Sequence, residues 1–277
     1  MLKNILVHIP SERPIGPVVD AAVSLATTRT AHLDAVSVGY ETANVGLAAD
    51  GGAVVAEIFE IERERALAGA NAALAVFETE ARGAGISYDL KALTDLPVEA
   101  AATVGALARL YDLTIVLQPE PNRDTFDNTM PQEILFQSGG PVLVIPYIHK
   151  GPFEARRIGI AWDGSRFAAR AVRDAASFLT RAQTITIVSI NEAQEAANAP
   201  AAALAAHLAR HGLTAQIERG SADRADIQPT ILSIAADANL DLIVMGGYGH
   251  SRLQERFLGG VTRGMFQSMT VPTLMSH

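Results

Sequence analysis

The chain reads as an α/β protein built from two tandem, doubly wound parallel-sheet domains of Rossmann-like type. Three observations predict this. Short apolar runs alternate with helix-period segments along its length, the pattern of a parallel sheet with helices on both faces. Two of the runs, Leu113–Leu117 and Leu242–Met245, are continuously apolar, as doubly buried strands should be. The third observation is internal repetition. Lys3–Ser11 resembles Arg156–Gly164, each a short apolar strand ending in a polar turn. The offset of 153 residues that carries Pro10 onto Asp163 also carries Val19, Ala22, Val23 and Ala26 onto Val172, Ala175, Ala176 and Leu179. Both sets fall at i, i+3, i+4 and i+7, the apolar stripe of a helix lying on a sheet.

The remaining elements follow in the same order twice. In the first half, Leu33–Val38 is a second strand, Val54–Ala81 a long helix and Ser87–Leu93 a third strand. Pro97–Arg109 is a helix, Leu113–Leu117 a fourth strand, Met130–Gln137 a helix and Val142–Ile145 a closing strand. In the second half, Thr184–Ile190, Ala201–Arg210, Ala215–Glu218, Ile227–Ala238, Leu242–Met245, Val261–Ser268 and Val271–Met275 repeat the series. The boundary falls in Pro146–Phe153, giving domains at 1–148 and 154–277. A Gly/Ala-rich loop near Asn44–Ala53 and the helix after it make the first half longer.

Composition narrows the function. Of 277 residues, 49% are hydrophobic and 19% charged, enough apolar surface for packed cores. The formal net charge of −8 and the lack of a basic stripe argue against nucleic-acid binding. No cysteine occurs, so disulfides, thiolate metal sites and cysteine nucleophiles are excluded. Ile5–Ile9 is too short for a signal-peptide core, and no window reaches the length of a membrane span. The expectation is a cytoplasmic protein without a membrane partner.

The informative residues stand at strand ends of the second half, where such sheets bind ligands. The strand Leu242–Met245 runs into Gly246, Gly247, Tyr248, Gly249, His250 and Ser251; Gly259 and Gly260 then precede the last helix. Glycine lets backbone N–H groups approach a phosphate without a Cβ in the way. A helix start adds unpaired N–H groups and the positive end of the macrodipole. His250, Ser251, Arg252 and Thr262 would add donors or charge. Glycines also simply make turns, but three at this spacing between a buried strand and a helix favour an anion site. Asp163, ending the first strand of this half, would accept from a ribose hydroxyl or an adenine amine; the competing role is helix N-cap.

Gly246, two residues, Gly249, nine residues and Gly259 together resemble the ATP-binding signature of the universal stress protein family. Asp163-Gly164-Ser165 resembles that family's first strand end, and Val271–Leu274 its closing strand. The resemblance spans nearly the whole chain as two copies and implies an adenine nucleotide alpha hydrolase-like fold. It further implies that Asp163 and the strand ends at Ile190 and Met245 hold adenosine. Gly246, Gly249, His250, Ser251, Gly259, Gly260, Val261 and Thr262 would line the phosphates of ATP, ADP or AMP, with Mg²⁺ accompanying them. Gly260 stands where the family usually carries a hydroxyl residue, so one side-chain donor is lost while the backbone N–H remains. Family members resemble dimers joined through their last strands. The two halves would therefore pair within one chain, with Val142–Ile145 near Val271–Met275, and a homodimer of whole chains is open.

The first half lacks these features. Pro10 replaces Asp163, and Gln118–Asp124 holds two prolines, two acidic residues and no glycine. Asn128-Thr129 stands in place of Gly259-Gly260. This half reads as a degenerate copy kept for packing, in preference to a second site for something other than nucleotide. Ser138-Gly139-Gly140 reads as a helix C-cap, His207 and His211 as a solvated helix face, and Trp162 as core or pocket wall. No nucleophile, base and orienter set is visible. The expected function is a regulatory adenine-nucleotide-binding protein. The alternatives are a slow ATPase or nucleotidyl or phosphoryl transferase, and an interaction module that binds no nucleotide.

Overall fold

The computed structural model describes residues 2–41, 52–192, 199–247 and 260–277. Ten strands form one sheet in the order β3-β2-β1-β4-β5-β10-β9-β6-β7-β8. The first five are β1 (Asn4–His8), β2 (His32–Tyr40), β3 (Tyr88–Asp95), β4 (Leu113–Leu117) and β5 (Val142–Ile145). The second five are β6 (Arg157–Ala161), β7 (Thr184–Ile190), β8 (Ala215–Gly220), β9 (Leu242–Gly246) and β10 (Thr273–Ser276). Within each set all pairings are parallel; the sets meet antiparallel at β5 and β10, with Leu274 opposite Leu143. The sequence reading expects two parallel-sheet domains with Val142–Ile145 near Val271–Met275; β5 and β10 do lie side by side, and they join the two sets into one sheet.

Helices cover both faces because the strands are apolar on both. Ile5, Val7, Leu113, Ile115, Leu143, Ile158, Leu242 and Leu274 face one core, packed under α1 (Gly16–Arg29), α2 (Gly52–Gly83), α5 (Arg166–Asp174), α6 (Ala176–Leu179) and α7 (Ala201–Arg210). Leu6, Val116, Val142, Val144, Ile243, Met245 and Met275 face the other, under α3 (Pro97–Ala108), α4 (Met130–Gln137), α8 (Ile227–Asp237) and α9 (Val261–Ser268). Each core is continuous across the two halves. Polar ties reinforce the junction: Arg29 donates to Ser177 O and lies over the Phe178 ring, and Arg170 donates to the carbonyls of His277 and Gly139.

Most elements match the sequence reading to within two or three residues at either end. The helix expected through Val172–Leu179 is interrupted at Ala175, after which Phe178 N bonds Ala175 O in a tighter turn and the buried Phe178 points into the core. The closing strand begins at Thr273 rather than Val271, because Pro272 has no N–H to enter the ladder; its carbonyl still accepts from Ile243 N. Gly139, at φ +69, takes the left-handed position after α4, the helix C-cap role expected of it. His207 and His211 are exposed on α7, and Trp162 is core, with Nε1 donating to Ala199 O.

Candidate nucleotide site

Strand order reverses once in each half. From β6 the chain passes outward to β7 and β8, then returns to β9 on the other side, so a crevice opens between the carboxyl ends of β6 and β9. Ala161 pairs with Met245 across it, which sets Asp163 and Gly246 on its two sides. Met245 is buried, whereas Ile190, ending neighbouring β7, is half-buried.

Asp163 is exposed and does not cap α5. Its Oδ1 accepts from Ser165 N at 2.9 Å, closing a local turn through Gly164 at φ +76. Ser165 is the N-cap, with Oγ accepting from Ala168 N at 3.1 Å. The competing role for Asp163 thus falls to the next-but-one residue, a serine whose capping signal is equally plain in sequence.

Gly246 is glycine for a packing reason. A Cβ there would lie 2.7 Å from Ala168 N and 2.8 Å from the Phe167 carbonyl carbon, so only glycine lets β9 approach the start of α5 this closely. Gly247 is similarly tight: a Cβ would meet Leu135 Cδ2 of the first half at 2.7 Å. Its N–H donates to Ser276 O at 2.8 Å and its carbonyl lies 3.1 Å from His277 Nδ1, binding the strand end to the C-terminal residues. The sequence reading assigned Gly246 to phosphate approach and named Gly247 in the same loop without giving it a place in the site.

Gly260 is exposed and opens α9; Gly264 N returns to its carbonyl at 3.0 Å. Gly260, the residue that opens this helix, has no side chain to cap it. Val261 is half-buried and Thr262 buried. Gly249, His250, Ser251 and Gly259 lie outside the described residues. Asn191, at φ +58, is a feature missed in sequence: its side-chain amide both donates to and accepts from Ala222, fixing the turn beyond β7.

The corresponding crevice of the first half is filled by the protein itself. Arg13, 7% exposed, donates from its two terminal nitrogens to Gln118 O at 2.6 Å and Leu117 O at 3.0 Å. Asp127, fully buried, accepts from Tyr40 Oη at 2.8 Å and Glu12 N at 2.9 Å. Burial raises the Asp127 carboxyl above the ordinary range against the opposing hydrogen bonds and Arg13; burial likewise lowers Arg13 and raises Tyr40. His8, 1% exposed with Nε2 4.0 Å from Asp127 Oδ1, is pushed down to about 3, first by burial and then by the Arg13 charge. Gln118 crosses to the second half, donating from Nε2 to Phe266 O of α9 at 3.0 Å. The proline- and acid-bearing loop already marked this half as altered in sequence; nothing there marked Arg13 as its filler.

The description of the universal stress protein family fits residues 154–277. Among solved structures, a universal stress protein from Archaeoglobus fulgidus is similar over 98% of this chain and 95% of its own, at TM-score 0.68 and 16% identity. A putative universal stress protein from Pseudomonas aeruginosa aligns over 99% and 93%, at TM-score 0.59 and 18% identity. Identities this low speak to fold alone. A search of curated protein sequences found no match. Residues 154–277 therefore match the universal stress protein family, and the chain as a whole shares the α/β fold of these solved structures.

Proposed function

We propose that the second half, taken as residues 154–277, binds an adenine nucleotide in the crevice between β6 and β9 and acts as a regulator. The observation that carries this reading is the convergence of three features at one strand-order reversal. Asp163 offers an exposed acceptor on one side, Gly246 a strand end without a Cβ on the other, and α9 an amino terminus that opens on glycine. Asp163 would take the ribose or adenine, beside Ile190 and Met245. The backbone of Gly260, Val261 and Thr262 would meet the phosphates, and Gly249, His250, Ser251 and Gly259 would complete the loop. Mg²⁺, where present, would arrive with the phosphates. The nucleotide would be ATP, ADP or AMP.

A regulatory role is preferred to phosphoryl transfer because residues 151–277 contain no lysine to stabilise charge on a transferred phosphoryl group. The first half, taken as residues 1–148, would serve as the packing partner, its crevice closed by Arg13 and Asp127. The two halves would then pair through β5 and β10 within one chain. No helix among the described residues is long and apolar enough to cross a membrane.

Heat extraction of the purified full-length chain followed by chromatography of the supernatant tests the reading. Recovery of adenine nucleotide near one per chain is expected. A chain that releases none, and binds none added at millimolar concentration, is an interaction module instead. Multiple-turnover hydrolysis far above background would mark an ATPase.

A further inference from the structure

His32, Asp34 and Asp89 bring one imidazole nitrogen and two carboxylate oxygens within 4.8 Å of one another at the amino ends of β2 and β3, the opposite end of these strands from the first half's own crevice. From this juxtaposition we propose a binding site for a zinc-class divalent cation.

Strand geometry builds the cluster. His32 and Asp34 are two residues apart on β2 and so share a face, and the parallel register places Asp89 of β3 directly beside Asp34. Two carboxylates directly opposite each other repel, and such a pair is destabilising unless positive charge lies between them. His32 Nε2 sits there, 2.9 Å from Asp34 Oδ1 and 3.4 Å from Asp89 Oδ2. The 3.4 Å separation matches the edge of a zinc coordination shell, since tetrahedral bonds of about 2.0–2.1 Å put neighbouring ligands roughly 3.3 Å apart, while the 2.9 Å separation is a hydrogen bond that a metal would replace.

The outer groups are arranged as metal ligands need. His32 Nδ1 lies 2.7 Å from Ser87 Oγ, so once a metal displaced the Nε2 proton, donation from Nδ1 to Ser87 would hold the Nε2 lone pair toward the ion. Tyr111 donates to Asp34 Oδ2 at 2.5 Å, which turns Oδ1 toward His32. Without a metal the 2.9 Å contact needs a proton on Nε2, since a carboxylate only accepts; a cation would take that proton's place between the ring and the two carboxylates. The site is open to solvent: His32 and Asp34 are partly buried, while the Asp89 side chain is 84% exposed and has room to swing onto an ion. One imidazole and two carboxylates suit zinc or a neighbouring first-row divalent ion, with water filling the open position. The rival arrangement is an imidazolium held by the two carboxylates with no metal.

Titration of the chelator-treated full-length chain with zinc chloride alone, against a competing zinc chromophore, separates the two. His207 and His211 are exposed with ring centroids 4.8 Å apart on α7 and could bind zinc adventitiously, so a His207→Gln/His211→Gln variant is the control. One zinc per chain is expected in the wild type and in that control, with at least tenfold weaker binding in His32→Gln and in Asp34→Asn. Ser87→Ala and Tyr111→Phe, as positioning residues, should weaken zinc affinity by about 10- to 100-fold. Absence of binding, loss only in the α7 control, or unchanged affinity in His32→Gln overturns the site. Circular-dichroism melting without zinc checks each fold. Should His32→Gln or Asp34→Asn fail to fold, the exposed Asp89→Asn carries the test and must also weaken binding at least tenfold.

Discussion

Arg13 spans the mouth of the first-half crevice and ends on Gln118, whose carbonyl it meets at 2.6 Å. Its second terminal nitrogen holds Leu117 O, so a single planar fork satisfies two carbonyls at the end of β4. Replacing Arg13 with Met keeps much of the stem but leaves those carbonyls buried without donors and Asp127 without its compensating charge. The expected cost is about 2–4 kcal/mol, read as a lower urea midpoint at an unchanged m-value. Arg13→Lys should recover only part of it, because a point charge cannot satisfy both acceptors.

His8 gives the same crevice a pH dependence. Its folded-state value of about 3 lies below the 6.5 of the unfolded chain, so between those limits the unfolded state binds more protons. Stability on this account is full above pH 6.5 and declines as pH falls toward 3. At pH 5 the loss should be about 2 kcal/mol, from a roughly 1.5-unit span at 1.36 kcal/mol per unit. Asp127, raised by burial, works in the opposite direction: its protonation as pH falls favours the folded state. Urea denaturation at pH 7 and pH 5 on wild type and His8→Phe isolates the histidine. The variant should lose less stability between the two pH values, by about that amount; equal losses would show that His8 does not titrate across folding.

Periodicity made the strands and most helices legible, because strands such as Leu113–Leu117 and Leu242–Gly246 are buried on both faces and their helices carry one apolar stripe. The adjacency of β5 and β10 was legible only through the family resemblance: both are short apolar segments, and their antiparallel pairing depends on contacts between distant parts of the chain. Asp163 and Gly246 were legible as strand ends, yet their local roles were not. The cap belongs to Ser165, and Gly246 answers to the backbone of Phe167 and Ala168. Arg13 was invisible for the same reason. A lone arginine after a strand reads as surface until the fold supplies Leu117 and Gln118 as its acceptors.

Asp163 and Gly260 should separate binding from folding. Asp163 is exposed and its one recorded bond is a local turn, so Asp163→Ala should change stability by less than about 1 kcal/mol. Loss of a charge-assisted hydrogen bond to ribose or adenine should weaken nucleotide binding by roughly 10- to 100-fold, the equivalent of about 1.5–3 kcal/mol. Gly260→Glu sets an anion at the start of α9, which favours the helix dipole while opposing a phosphate. It should therefore melt no earlier than wild type and bind nucleotide at least tenfold more weakly. Calorimetric titration with ATP, alongside melting curves, reads both; unchanged affinity in the two variants would remove this crevice as the site.

The Gly246 contact tests how far the site depends on packing behind it. Gly246→Ala brings a Cβ to 2.7 Å from Ala168 N, and since the obstruction is backbone, β9 and α5 must move apart. Overpacking of this kind costs about 1–3 kcal/mol. Moving α5 also moves Ser165, its N-cap, and with it the turn that positions Asp163, so nucleotide affinity should fall together with stability. Gly69, within α2, is the counterpart: a Cβ there meets nothing within 4 Å, and Gly69→Ala should gain about 0.5–1 kcal/mol from helix entropy without touching the crevice. Thermal melts with and without ATP on both variants give four readings. A Gly246→Ala chain that melts with the wild type would mean that β9 and α5 do not approach as closely as 2.7 Å requires, and the packing role of this glycine would have to be withdrawn.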